Sequence, residues 1–234
     1  MLKYFYIFFI GAGLLACSSV NTAFVSERNI EIDSTFIGNS QIDSIILPYK
    51  DSLEHEMSEI IATSLFDYAV SRPNSNLGNW VADAIFVNQT KNVRLSIPII
   101  CLLNTGGIRS TINKGKVTLG DLYKLMPFDN EVVWVKLSID KIPLIENYLR
   151  ASGGEPISNA TIVNGKLTLN NWSDKTTEFW VITSDYLKNG GDKMSFFANP
   201  LEVNPTGKLM RDAIIEEARF QGTLTIDSTL RIQF

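Results

Sequence analysis

An apolar run, Ile97 to Leu103, passes directly into Asn104-Thr105-Gly106-Gly107-Ile108-Arg109, and a short helix later the chain reaches Pro127-Phe128-Asp129-Asn130. A strand that opens into an amide, two glycines and an arginine brings backbone close to a ligand and then offers a planar cation. Taken alone, the same segment fits a strand-to-helix turn with a surface arginine, because glycine-rich turns are common. Its surroundings decide between the two.

Those surroundings begin with a segment that stands outside any fold. Lys3 supplies a positive start, Tyr4 to Gly13 is almost wholly apolar, and Leu14-Leu15-Ala16-Cys17 closes the run. The run is too short to span a bilayer and predicts a signal peptide over residues 1–16. Its ending resembles a bacterial lipobox, in which a small residue precedes a cysteine that receives lipid; a non-lipidated signal with an incidental cysteine is the alternative. The expectation is therefore a lipidated Cys17, a tether through residue 36, and a domain over residues 37–234. Such a protein would sit in the bacterial cell envelope, lipid-anchored to a membrane and facing the periplasm or exterior. The second of the two cysteines, Cys101, lies within an apolar strand and is expected to be a buried packing residue.

The whole chain has 21 basic against 25 acidic side chains, a net charge of −4, with no basic cluster and no internal repeat. That balance argues against a nucleic-acid partner. Hydrophobic spacing predicts a helix from about Ser52 to Val70, capped by Asp51, and His55 falls off its apolar stripe. Asp33 to Leu47 is expected to include an edge strand. A second helix carries Leu77, Trp80, Val81, Ala84 and Ile85. Thr118 and Asp121 suit a capping box at a short helix that Pro127 stops. Glu131 to Leu137 alternates like a strand, and Asp140 to Ala151 reads as a helix that tolerates Pro143 in its first turn. Val163-Asn164-Gly165-Lys166 is a hairpin signal, since both central residues accept positive φ. Phe179 to Thr183 reads as a buried strand, Thr206 to Phe220 as the last helix, and a final strand reaches Phe234. Helices interleaved with hairpins predict a single α+β domain, a mixed β-sheet flanked by helices.

Four stretches then stand in order: Asn76 to Ala84, Asn104 to Arg109, Met126 to Asn130, and Asp185-Tyr186-Leu187-Lys188-Asn189-Gly190-Gly191-Asp192. Together they resemble the C-terminal, substrate-specificity domain of the 5′-nucleotidase family, over about Ile37 to the end. The resemblance implies that Phe128 and Tyr186 are the two rings between which a base stacks, a contact open to every base because each has a π-face. It implies that Arg109 binds phosphate or ribose oxygens and that Asn104 contacts the nucleoside. Asp192 would accept hydrogen bonds from ribose hydroxyls, with Gly106, Gly107, Gly190 and Gly191 shaping the loops.

Two departures qualify what the resemblance implies. Some members carry a second cation where this chain has Asn76, which weakens the expectation of a highly charged ligand. The family's catalytic half uses a cluster of Asp, His and Asn ligands for two metal ions, whereas this chain has one histidine, His55, and no Asp-x-His sequence. The expectation is a nucleotide- or nucleoside-binding domain without cofactor or catalytic residues of its own. It would act with a separate metallophosphoesterase that holds the divalent metals. A scaffold or transport lipoprotein that keeps the fold without binding nucleotide is the alternative, and a self-sufficient hydrolase is the less expected third.

Overall fold

The computed structural model describes residues 40–94 and 96–234. Its contacts divide the chain into two units, residues 1–46 and 47–234. Of the first, residues 40–46 are described and form the opening turns of helix α1 (Ser40–Met57), in which the Ser44 hydroxyl donates to the Gln41 carbonyl. The expected signal peptide, Cys17 and the tether lie outside the described residues. The edge strand expected over Asp33 to Leu47 falls partly outside them, and its residues 40–47 are helical.

In the second unit α1 ends at Met57, and β1 (Ile60–Ser64) follows after a tight turn. The single helix expected from Ser52 to Val70 is therefore two elements. Asp51 lies inside α1 rather than at its cap, and Leu53 on the expected apolar stripe is exposed. The β-branched run Ile60-Ile61-Ala62-Thr63 suits a strand once partners exist. Neighbours far along the chain supply them: β1 pairs antiparallel with β3 (Gly115–Thr118) and parallel with β10 (Thr223–Leu224).

Helix α2 (Asn76–Thr90) carries the expected Leu77, Trp80, Val81, Ala84 and Ile85. Ser75 caps it, its hydroxyl accepting from the Gly78 N–H at 2.8 Å. Strand β2 (Ile99–Leu102) leads to β3, and α3 (Leu119–Leu125) opens on the capping box between Thr118 and Asp121. Then come β4 (Glu131–Ser138), α4 (Ile142–Ser152), β5 (Ile157–Ser158), and the hairpin of β6 (Ala160–Val163) with β7 (Lys166–Leu169). At the hairpin tip Val163 pairs with Lys166, and Asn164 and Gly165 take φ of 52° and 72°.

Strand β8 (Glu178–Ser184) runs into the short helix α5 (Asp185–Lys188). Strand β9 (Glu202–Leu209) precedes α6 (Met210–Gln221), and β11 (Ile232–Gln233) ends the chain. The last helix thus begins four residues later than its expected start at Thr206. Residues 202–209 are drawn into the sheet by β4, and Pro205 is tolerated because β9 is an edge strand.

The main sheet has the order β5-β2-β8-β4-β9, with β2 and β8 parallel and the other pairs antiparallel. Side chains alternate across it, so it forms a shared wall between two apolar cores. Cys101, Leu103 and Ile182 face the core that α2, α3 and α6 complete. Ile100, Leu102 and Val181 face the other, closed by α4 and the β6–β7 hairpin. Cys101 is fully buried there as expected, and burial, then the Asp83 charge, pushes its thiol well above the ordinary range.

Candidate functional site

The parallel strands β2 and β8 deliver their C-terminal ends to the same edge of the main sheet, and antiparallel β4 starts there. The three loops at that edge are therefore Asn104–Arg109 after β2, Pro127–Asn130 before β4, and the segment after β8. The sequence alone holds them far apart. Sheet topology brings them together.

Each loop is tied down separately. The first tightens into a 3₁₀ turn over Thr105–Gly107, in which the Gly107 N–H donates to the Asn104 carbonyl at 3.1 Å. A Cβ on Gly107 would stand 2.9 Å from Asn104 Oδ1, so a side chain there would displace the Asn104 amide. The Arg109 N–H donates to the Leu125 carbonyl at 2.8 Å, which fastens the turn to the end of α3.

The second loop hangs on Arg211 of α6. Its guanidinium donates to Asp129 Oδ1 at 2.6 Å and to the Met126 carbonyl at 3.3 Å, and lies 4.3 Å over the Tyr123 ring. Phe128 sits between those two anchored residues. Asp185 joins the second loop to the third: its Oδ1 accepts from the N–H groups of both Glu131 and Tyr186.

In the third loop Ser184 caps α5 by accepting from the Leu187 N–H, and the chain then turns through Gly190 at φ 94°, Asp192 at 50° and Lys193 at 62°. Gly191 lies against the Tyr186 ring, and a Cβ there would collide with Tyr186 Cε1. Only glycine leaves that ring its place.

The loops enclose a cavity of about 340 Å³ lined by Asn104, Gly106, Gly107, Arg109, Phe128, Asn130, Tyr186 and Asp192. Phe128 and Tyr186 are each 46% exposed, and among the described residues neither ring stacks on another. Asp192 is the centre of the polar side. The Asn104 amide donates to its Oδ2 at 2.6 Å, the Tyr186 hydroxyl to its Oδ1 at 2.9 Å, and the Tyr148 hydroxyl to its backbone carbonyl at 3.2 Å. The bond to Asp192 raises the Tyr186 hydroxyl above its ordinary range, so it stays a donor. Among the described residues Arg109 donates one long bond, 3.4 Å, to the Gly106 carbonyl, which leaves most of its guanidinium open to a ligand.

Of the residues singled out in the sequence, Asn104, Gly106, Gly107, Arg109, Phe128, Tyr186 and Asp192 line this one cavity. Gly190 and Gly191 are not among its lining residues, although Gly191 lies against the Tyr186 ring. Asn76 does not reach it: its Oδ1 accepts from the Ala69 and Leu77 N–H groups and its Nδ2 donates to the Asp67 carbonyl. The Asn76–Ala84 stretch serves the fold instead. Asn79 donates to the Thr229 carbonyl, and Asp83 accepts from both the Ser158 hydroxyl and the Arg231 guanidinium. Sequence reading missed Asn130, although it ends a quoted motif, and it missed Arg211, Tyr148 and Glu155, whose partners lie far along the chain. Among the described residues no group of three or more His, Cys, Asp or Glu side chains is placed to hold a metal ion.

Residues 57–142 match the family described as 5′-nucleotidase, C-terminal domain. Over those residues the chain is similar to that domain family, and its fold is that of 5′-nucleotidase C-terminal regions. An apyrase from Tabanus yao is 23% identical over 240 residues, which cover 87% of this chain and 43% of the apyrase. Among solved structures, a 5′-nucleotidase precursor from Thermus thermophilus superposes with a TM-score of 0.66 at 21% identity, covering 83% of this chain and 43% of the other. The NAD nucleotidase NadN of Haemophilus influenzae gives 0.62 at 18% identity, covering 88% and 43%. This chain thus spans less than half the length of each. At these identities the superpositions speak to the fold. The family match takes in Asn104, Arg109 and Phe128, whereas Tyr186 and Asp192 lie beyond it and are joined to it by the sheet.

Proposed function

We propose that this 5′-nucleotidase C-terminal domain binds a nucleoside or nucleotide and presents it to a separate metallophosphoesterase. The base enters between Phe128 and Tyr186, the ribose hydroxyls meet Asp192 and Asn104, and Arg109 takes a phosphate or ribose oxygen. One observation supports this above the rest: loops distant in sequence converge on one cavity lined by two half-exposed rings, a carboxylate and a guanidinium. Flat aromatic faces suit a base, a carboxylate suits a diol, and a guanidinium fork suits phosphate or ribose oxygens.

Divalent ions belong to the partner in this reading, and lipid on Cys17 holds the domain at the envelope surface. Isothermal titration of the purified domain with nucleosides and their monophosphates tests the binding step. Saturable one-to-one binding that Phe128→Ala weakens supports it. Absence of heat for every purine and pyrimidine ligand, with and without a metallophosphoesterase, would overturn it in favour of a scaffold.

A further inference from the structure

Behind the first loop lies a carboxylate that the binding reading does not use. Glu155 is 5% exposed, and it sits in Gly153-Gly154-Glu155-Pro156, the connection from α4 to β5. Both of its oxygens are engaged. Oε2 accepts from the Thr105 N–H at 2.7 Å, and Oε1 accepts from the Arg72 guanidinium at 2.7 Å. Arg72 in turn donates to the Ser152 carbonyl at 2.8 Å.

The surrounding backbone holds Glu155 in register. The Leu103 N–H donates to the Pro156 carbonyl at 3.0 Å, and a Cβ on Gly154 would meet Pro73 at 2.8 Å. Segments 72–73, 103–105 and 153–156 are therefore packed around one buried anion. A buried carboxylate is retained only when its charge and lone pairs are answered, and here a cation and a backbone N–H answer them.

The Thr105 N–H is the first donor of the turn that aims Asn104 and Arg109 into the cavity. A 3₁₀ turn leaves its leading N–H groups without internal partners, so what they bond to sets how the turn enters. The charge of Glu155 also acts on Tyr148. Tyr148, whose hydroxyl holds the Asp192 carbonyl, is pushed up to about 12 by burial first and then by the charges of Glu155 and Asp192. That hydroxyl remains a donor throughout the neutral range.

We infer that Glu155 is a positioning residue for the ligand site: by accepting from Thr105 it fixes the Asn104–Arg109 turn, and with it the Asn104 to Asp192 contact. This rests on the binding reading only for its effect on affinity. The geometric effect stands without it.

The test compares Glu155→Gln, which keeps a carbonyl for Thr105, with Glu155→Ala, which keeps nothing. Arg72 is 43% exposed and also bonds the Ser152 carbonyl, so water is expected to take the place of Glu155 at its guanidinium in either variant. Adenosine affinity by titration and the Asn104 side-chain amide resonances by NMR are the two readouts, with melting temperature measured alongside. We expect Glu155→Gln to stay within about threefold of the wild type in affinity and Glu155→Ala to lose about tenfold, a difference typical of leaving a buried donor unpaired. The Asn104 amide resonances should move in the alanine variant alone. If the alanine variant does not fold, Glu155→Met, close in volume, replaces it. Equal affinity and unmoved amide resonances in the alanine or methionine variant would overturn the inference, as would equal losses in the glutamine and alanine variants. If the wild type itself binds no nucleoside, the binding reading fails, and the amide resonances alone decide the role of Glu155.

Discussion

Tyr186 does two things that substitution separates. Its ring is one wall of the cavity, and its hydroxyl donates to Asp192 Oδ1. Phenylalanine keeps the wall and removes the donor, while alanine removes both. We expect Tyr186→Phe to weaken nucleoside binding by about threefold, since the lost bond is exposed and water replaces it. Phe128→Ala removes the other ring and should cost about 1–3 kcal/mol, the usual worth of one base on one ring. Titration of both variants with the same nucleoside checks the ranking. A larger loss from the hydroxyl than from the Phe128 ring would mean that Asp192, not stacking, dominates binding. Arg211→Met bears on the same wall from behind. Removing the anchors at Asp129 and Met126 frees Phe128 without touching the cavity, so affinity should fall while Asp192 and Asn104 keep their contact.

Elements that close on themselves are legible in the sequence, and those that depend on distant partners are not. The β6–β7 hairpin is visible because Asn164-Gly165 carries its own turn geometry, and α3 because Thr118 and Asp121 cap each other three residues apart. Strand β1 is hidden, since Ile60 to Leu65 continues a helical spacing and its strand partners are residues 115–118 and 223–224. The start of β9 is hidden for the same reason, its register being set by β4. The site divides along this line. Glycines, rings and Arg109 announce themselves locally, whereas Glu155 reaches partners 50 and 83 residues away and leaves no local trace.

The C-terminal segment yields a pH prediction at this scale. Hydrogen bonds from Thr229, then the Arg231 guanidinium, hold the Asp227 carboxyl at about 2, below its ordinary 3.8, against partial burial that pushes the other way. A carboxyl lowered by folding stabilises the fold above about 3.8, and that contribution is lost as pH falls from there towards about 2. Asp227→Asn should therefore unfold earlier than the wild type at pH 6, and the two denaturation curves should converge towards about pH 2. Curves that stay parallel down to that pH would remove Asp227 from the acid limb.

On the scale of the whole molecule, the decisive relation is between what the cavity offers and what hydrolysis of a phosphate ester requires. The cavity provides rings, amides, one carboxylate and one guanidinium, groups suited to holding a nucleoside. Metal-assisted hydrolysis also needs an activated water and charge stabilisation at the leaving oxygen. The chain spans 43% of the Thermus nucleotidase it resembles in fold. If the domain works by presenting substrate, its effect on a partner should appear in substrate discrimination as much as in rate, because binding energy from the nucleoside is then used at a distant phosphate. We expect the domain alone to release no phosphate from nucleoside monophosphates beyond background. Added to a metallophosphoesterase that lacks its own C-terminal domain, it should raise kcat/KM for nucleotides while leaving a small phosphate ester such as p-nitrophenyl phosphate unchanged. Phe128→Ala should abolish that difference without altering the partner's activity on the small ester. An equal increase on both substrates would indicate simple stabilisation of the partner, and no increase with any such partner would leave the cavity to ligand binding alone.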